Sequence, residues 1–281
     1  MATRTHRLRV APEEEIVLDW TPPARSANGT PAPVAVFVHG LGSNRQGTKA
    51  RTFQTLFTGR GWGYLALDLR GHGDSGGGMN GLTLTRCLED LQAALDWLAG
   101  HSRDGSAGFS PPLLIGSSMG AAVIAWQHVK QPQSAAAHVM IAPALTFPRR
   151  FFQVLGREAL DEWRRDGTRA FSNQWMELQL DYTLLEDAEN YPPEILAEEY
   201  SLPTLLIHGM QDESVDWQGS LDFVRSSPCP ELDLLLIKQG DHRLTDHSEY
   251  LFHAMWSWLE QRMSMTQPAG PEPWEQELAP E

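Results

Sequence analysis

The 281-residue sequence predicts an α/β protein: a mainly parallel central sheet with helices on both faces and a small cap inserted between two strands. Three observations predict it. Short apolar runs alternate with longer segments of helical periodicity, the pattern of strands covered on both faces. Polar loops follow the runs, and in a parallel sheet such loops converge at the carboxyl ends of the strands. One connection, between Ala144 and Leu202, is far longer than a crossover needs and carries aromatic residues of its own.

Val34-Ala35-Val36-Phe37-Val38 has no charge and is β-branched or aromatic at four positions, so it reads as a buried strand. It leads into the loop His39-Gly40-Leu41-Gly42. A helix is predicted from Gly47 to Arg60, then a strand at Tyr64-Leu65-Ala66-Leu67 and a glycine-rich turn from Asp68 to Gly78. Within that turn the polar run from Asp68 to Ser75 reads as structural, with hydrogen-bonded Asp and Arg side chains. Leu88, Leu91, Leu95 and Leu98 recur at helical spacing over Leu82 to Leu98, which lays one face on the sheet. Leu113 to Ile115 predicts a strand, Ala121 to His128 a helix, and Val139 to Ala142 another strand. Thr204 to Ile207 and Leu232 to Ile237 add two more. Tyr250 to Arg262 closes the fold as a helix with Leu251, Met255, Trp258 and Leu259 on one face.

Residues 1–145 and 203–263 are therefore assigned to the core, 146–202 to the cap, and 264–281 to an acidic, proline-rich tail expected to lack fixed structure. Phe151, Phe152, Trp163, Phe171, Trp175 and Leu180 give the cap enough apolar surface to cover the strand ends; the alternative is an ordinary crossover helix with a decorated loop. Trp163 and Trp175 can each pack inside the cap instead of facing a ligand. Arg149, Arg150 and Arg157 are expected in solvent.

Net charge is −14, and no cluster of Lys and Arg forms a phosphate-tracking stripe, which argues against nucleic-acid binding. The two cysteines, Cys87 and Cys229, have no metal-type spacing and fit a reducing compartment. Arg4, Arg7 and Arg9 precede Glu13-Glu14-Glu15 without an apolar signal core. No stretch approaches the roughly 20 apolar residues that span a bilayer. A cytoplasmic protein with no integral membrane segment is expected.

Gly116-Ser117-Ser118-Met119-Gly120 sits between the strand Leu113 to Ile115 and the helix beginning near Ala121. A serine at the tip of such a strand-to-helix turn adopts a strained backbone, and glycines two residues away on either side remove collisions with the neighbouring strand and helix. A serine hydroxyl needs a base, and the base needs an anion to hold its tautomer. Asp212 follows the strand Thr204 to Ile207, and His242 follows Leu232 to Ile237. Both partners thus come in the order Ser, acid, His. Ser117 is the alternative nucleophile, and Glu213 and Asp241 are alternative acids; Ser118 projects from the tip of the turn, Asp212 follows its own strand, and Asp241 should diverge from His242. His39 and His208 read as loop braces, His72 lies in a tight turn, and His247 lies just beyond His242. No His-x-x-x-His or comparable pair supports a metal site, and no cofactor is expected. Backbone N–H groups of Leu41 and Met119 are the candidate oxyanion-hole donors.

Over roughly residues 30–263 these motifs together resemble the α/β-hydrolase superfamily. Gly42-Ser43-Asn44, Gly47-Thr48-Lys49-Ala50, Asp181-Tyr182, Asp187-Ala188-Glu189 and Gly240-Asp241-His242-Arg243-Leu244 further resemble its branch of mitochondrial acyl-protein thioesterases that also cleave acyl glucuronides, and bacterial relatives. The resemblance implies an α/β-hydrolase fold, Ser118, Asp212 and His242 as catalytic residues, Leu41 and Met119 as the oxyanion hole, and a small-molecule acyl ester or thioester as substrate. Ala121 departs from relatives that often carry a second glycine there, and no transit-like presequence is visible. The oxyanion loop lacks the doubled glycine of the prolyl peptidases. An amidase or peptidase on the same triad, and a non-catalytic binding protein of this fold, are the alternatives.

Overall fold

The computed structural model describes residues 2–24, 33–101, 111–172 and 177–265. Its strands are β1 (Arg4–Ala11), β2 (Glu14–Thr21), β3 (Val34–Val38), β4 (Gly63–Asp68), β5 (Leu113–Ser117), β6 (Ala137–Ile141), β7 (Thr168–Ser172), β8 (Glu177–Asp181), β9 (Thr204–Gly209) and β10 (Leu232–Ile237). Eight form one sheet in the order β1-β2-β4-β3-β5-β6-β9-β10. From β4 to β10 every pairing is parallel, as the apolar runs predict.

The antiparallel pair β1 and β2 extends the sheet beside β4, in a region for which the sequence analysis predicts no strand. Its signal was present: in β2 the residues Ile16, Leu18 and Trp20 alternate onto one face and are buried. Arg7 and Arg9 alternate outward on the edge strand β1 and Arg4 is exposed at its start, where charge discourages pairing with another chain.

Alternation divides the core in two. In β3, Val34, Val36 and Val38 join one cluster while Ala35 and Phe37 join the other. Helices α1 (Thr48–Gly59) and α9 (Ser248–Met265) cover one face through Phe53, Phe57, Leu251, Phe252 and Met255. Helices α2 (Leu84–His101) and α3 (Met119–Lys130) cover the other. Every residue of α3 from Met119 to His128 is buried, so this short helix is anchored on all sides. Each fully buried Val, Leu, Ile, Phe or Met side chain contributes about 1.5–3 kcal/mol.

The long connection between β6 and β9 folds as α4 (Arg150–Val154), α5 (Arg157–Asp166), the β7-β8 hairpin, α6 (Thr183–Asp187) and α7 (Pro193–Glu199). Trp163 sits at its centre: it is buried, its Nε1–H donates to the Leu180 carbonyl at 2.9 Å, and its ring meets Phe151, Phe171 and Tyr182 at 5.7, 5.1 and 5.8 Å. Trp163 therefore packs inside the insertion, whereas Trp175 lies outside the described residues. Asp187 ties the insertion to α2 by accepting from the Thr85 N–H at 3.0 Å and from the Thr85 hydroxyl. After β9 comes α8 (Gln218–Ser226), a helix beyond those the sequence predicts. The closing helix α9 runs past the expected limit at 263 to Met265, and the rest of the tail lies outside the described residues. Among the described residues no helix is long and apolar enough to cross a membrane.

The turn after β4 is structural, as expected. Buried Asp68 accepts from the Arg45 guanidinium, from the Arg45 N–H at 2.6 Å and from the Asp74 N–H at 2.9 Å. Arg70 Nε donates to Asp90 at 2.6 Å.

Four buried histidines give the fold an acid limit. Burial, with His72 nearby and against a bond to Gly40, pushes His39 down to about 3. Burial also lowers His72 and His128, and holds His138 well below the usual imidazole range. These groups are neutral in the native state but bind protons near pH 6.5 when unfolded, so their contribution is lost as pH falls below about 6.5. Asp90, raised by burial to about 6 against its bonds from Arg70, opposes them over part of that range. The urea midpoint is expected to be lower at pH 5.0 than at pH 7.5, with each histidine changing stability by at most about 1.4 kcal/mol per pH unit. Equal midpoints would refute this.

Candidate active site

β5 ends at Ser117 and α3 begins at Met119, so Ser118 alone must turn the chain. Its backbone takes φ 54° and ψ −115°, a region that costs a non-glycine residue about 1–3 kcal/mol. Three main-chain bonds hold it there: its N–H donates to Ile141 at 2.9 Å, and its carbonyl accepts from Ala121 at 3.0 Å and Ala144 at 3.2 Å. A Cβ on Gly120 would stand 2.2 Å from the Val38 carbonyl oxygen, and one on Gly116 would stand 2.5 Å from the Gly120 oxygen. The first turn of α3 thus lies directly on the backbones of β3 and β5.

The structure brings Ser118, His242 and Asp212 together from three loops at the carboxyl end of the sheet. His242 Nε2 lies 3.0 Å from Ser118 Oγ, and His242 Nδ1 lies 2.7 Å from Asp212 Oδ2. In this geometry Nδ1–H donates to the carboxylate, which leaves Nε2 to accept from the serine hydroxyl. Among the competitors, Ser117 is buried at the end of its strand, Glu213 is exposed, and Asp241 Oδ1 instead accepts from the Leu244 N–H at 2.7 Å.

Asp212 is the most heavily bonded group in the site. Its side chain is fully buried, Oδ1 accepts from the N–H groups of Ser214 and Val215, both at 2.8 Å, and Oδ2 accepts from both His242 and His208. Burial alone would raise the carboxyl pKa, but the bonds from His208 and His242 outweigh it and hold Asp212 well below the usual carboxylate range.

His208 is the functional neighbour that sequence reasoning missed by treating it only as a loop brace. Its Nε2 lies 3.0 Å from Asp212 Oδ2 and its Nδ1 lies 2.7 Å from Ser220 Oγ. With Nε2–H donating to the carboxylate, Nδ1 accepts from the Ser220 hydroxyl, a partner carried by α8. The signal was the four-residue separation of His208 and Asp212 across a tight turn.

The loop after β3 crosses Ser118. A Cβ on Gly40 would stand 3.1 Å from Ser118 Cβ. His39 fixes this loop: its Nε2 accepts the Leu69 N–H at 3.1 Å, so Nδ1 carries the proton and donates to the Gly40 carbonyl at 2.8 Å. Leu41 and Met119 line the same cavity, of about 1110 Å³, as Ser118 and His242. Met119 opens α3, where an N–H has no intrahelical acceptor.

The insertion roofs this cavity with Phe147, Phe151, Val154, Phe171, Leu178 and Leu180. Arg150 lines it too, so the expectation that the arginines here are solvated fails at this residue; Arg157, with its side chain 97% exposed, meets it. Lys49, from α1, reaches the cavity beside His242 and donates from Nζ to the Arg243 carbonyl at 2.5 Å. Burial and then the Arg243 charge push its ammonium down to about 8, against the pull of Asp241 and Asp212. Among the described residues no group of three or more His, Cys, Asp or Glu could hold a metal ion.

A model of the alpha/beta hydrolase family matches residues 35–279. The mouse (Mus musculus) protein named palmitoyl-protein thioesterase ABHD10, mitochondrial, is 26% identical over 220 residues, spanning 77% of this chain and 71% of its own length. A crystal structure of an Agrobacterium vitis S4 protein superposes with a TM-score of 0.79 at 25% identity, over 92% of this chain and 99% of that one. The structure of mouse alpha/beta hydrolase domain-containing protein 10 gives 0.76 at 23% identity over 92% and 99%, a likeness of fold.

Because backbone atoms crowd Gly120, Gly120→Ala must displace α3 or β3. We expect a loss of about 3 kcal/mol or more, beyond ordinary overpacking, read as a lower urea midpoint. An unchanged midpoint would mean that this contact is not a constraint.

Proposed function

The chain belongs to the alpha/beta hydrolase family, and from that premise we propose that it is a serine hydrolase cleaving carboxylic esters or thioesters through an acyl-enzyme. The observation that carries this reading is the unbroken chain from Ser118 Oγ through His242 to Asp212, with gaps of 3.0 and 2.7 Å. In the proposed reaction His242 Nε2 takes the Ser118 proton as Oγ attacks the acyl carbon. Asp212, ionised, stabilises the imidazolium. The N–H groups of Leu41 and Met119 receive the charge that develops on the acyl oxygen. His242 then protonates the leaving group, and water repeats the two steps on the acyl-serine.

The mouse relative's name, a palmitoyl-protein thioesterase, supports thioesters with an apolar acyl chain among the substrates. The aromatic and aliphatic roof of the cavity fits such a chain, and we assign acyl selection to the insertion as a cap.

A fluorophosphonate probe is expected to label the protein stoichiometrically and to label Ser118→Ala not at all; labelling that survives in the folded variant would sink the assignment. Asp212→Asn should lower kcat by a factor on the order of 10³–10⁴ with the fold retained. His208→Gln is expected to lower kcat roughly 5- to 150-fold by leaving Asp212 short of one donor, with a smaller change in KM. Wild-type kcat in His208→Gln would remove His208 from this account.

A further inference from the structure

Six arginines lie between residues 146 and 202. Five have partners: Arg149 with Glu189 at 3.8 Å, Arg157 with Asp161 at 4.0 Å, Arg165 with Asp166 at 3.0 Å, Arg169 with the Ala159 carbonyl at 3.2 Å, and Arg164 over the Tyr182 ring at 5.1 Å. The Arg150 guanidinium, half-buried in the wall of the Ser118 cavity, has no ion pair or hydrogen bond among the described residues. Asn173, Gln174, Trp175 and Met176 lie outside the described residues and bring no carboxylate in sequence.

An arginine cannot escape burial by losing its proton, so its charge stays in a partly dry site. Burial works against the charge of Arg150, and Asp212 supplies the one opposing attraction. Asp212, however, is committed to two histidines and two main-chain N–H groups. Asp241 is bonded to the Leu244 N–H, and Glu213 is exposed at the rim. Lys49 adds a second cation to the cavity, with one of its three donors on the Arg243 carbonyl and the other two without an acceptor among the described residues. An uncompensated buried charge is costly unless an anion completes it. The chain carries a net charge of −14, so long-range attraction does not draw an anion in; the attraction has to be local.

We propose that Arg150 and Lys49 form an anion subsite inside the Ser118 cavity, and that preferred substrates are acyl esters or thioesters carrying a carboxylate or phosphate group. This rests on the serine-hydrolase reading above. Arg150 supplies a planar pair of donors suited to such a group, and Lys49 a compact second charge.

Two matched substrate pairs distinguish where the anion sits. On the acyl side, mono-p-nitrophenyl suberate is compared with p-nitrophenyl octanoate. On the leaving-group side, the octanoyl thioester of 3-mercaptopropionate is compared with that of its amide. In at least one pair the wild-type protein is expected to favour the anionic member in kcat/KM through a lower KM. In Arg150→Met the charged-to-neutral ratio for that pair should drop roughly ten-fold or more, the size of a charge-assisted hydrogen bond. Arg150→Lys should restore part of it, and Arg157→Met, on an exposed side chain, should keep the wild-type ratio. Hydrolysis of the neutral members with no anionic preference in either pair, or equal ratios in wild type and Arg150→Met, overturns the subsite and leaves the serine-hydrolase reading standing. Absence of hydrolysis of all four compounds, together with no fluorophosphonate labelling, overturns both.

Discussion

No side-chain atom fits between the first turn of α3 and the end of β3, because a Cβ at Gly120 would stand 2.2 Å from the Val38 carbonyl oxygen. That contact leaves the chain one residue in which to leave β5 and enter α3, and the backbone strain falls on Ser118. The burial of ten consecutive residues of α3 far exceeds the 1–3 kcal/mol or so that the strain costs, so the turn cannot relax without unseating the helix. The same closeness carries the loop after β3 across Ser118, with Gly40 beside the serine side chain. One backbone contact therefore places both the hydroxyl and the loop that includes Leu41. His39, held neutral by burial and bonded at both ring nitrogens, keeps that loop from turning its carbonyl toward the site.

Asp212 answers a different demand. A buried carboxylate loses several kcal/mol of hydration and would become protonated if unsupported. Four donors converge on it, each worth about 1.5–3 kcal/mol when one partner is charged, and their sum exceeds that loss. Two donors come from backbone in the turn after β9, so the carboxylate keeps part of its support while His242 exchanges protons. The third, His208, depends on Ser220 in α8 for its orientation. A helix that touches neither serine nor substrate thereby bears on the position of the acid.

Much of this was legible in the sequence because the deciding residues report local rules. Gly116 beside Ser118 describes a steric event within five residues, Gly120 clears the backbone of β3, and apolar runs such as Val34 to Val38 describe strands buried on both faces. Asp212 and His242 could be placed because a parallel sheet brings its strand ends together. Part of what escaped depended on partners distant in sequence. The second role of His208 appears only when α8 delivers Ser220, whereas the alternation of Ile16, Leu18 and Trp20 in β2 is a local signal. Arg150 looked like its neighbours Arg149 and Arg157, since no local pattern states which of three arginines on a short segment will face a cavity.

The insertion combines two demands that constrain each other. Phe151 and Phe171 line the cavity, and both rings also pack on Trp163, at 5.7 and 5.1 Å, in the insertion's own small core. Both rings are partly buried, so exchanging either one to reshape the cavity also removes its packing on Trp163 and loosens the roof. Arg150 and Val154 line the same cavity without joining that cluster of rings, and Val154 is 60% exposed. Substitutions at exposed positions generally stay within about 0.5 kcal/mol. Variation in what the cavity accepts is therefore cheapest at Val154, which meets the cavity from α4 with a side chain that the insertion's own core does not require.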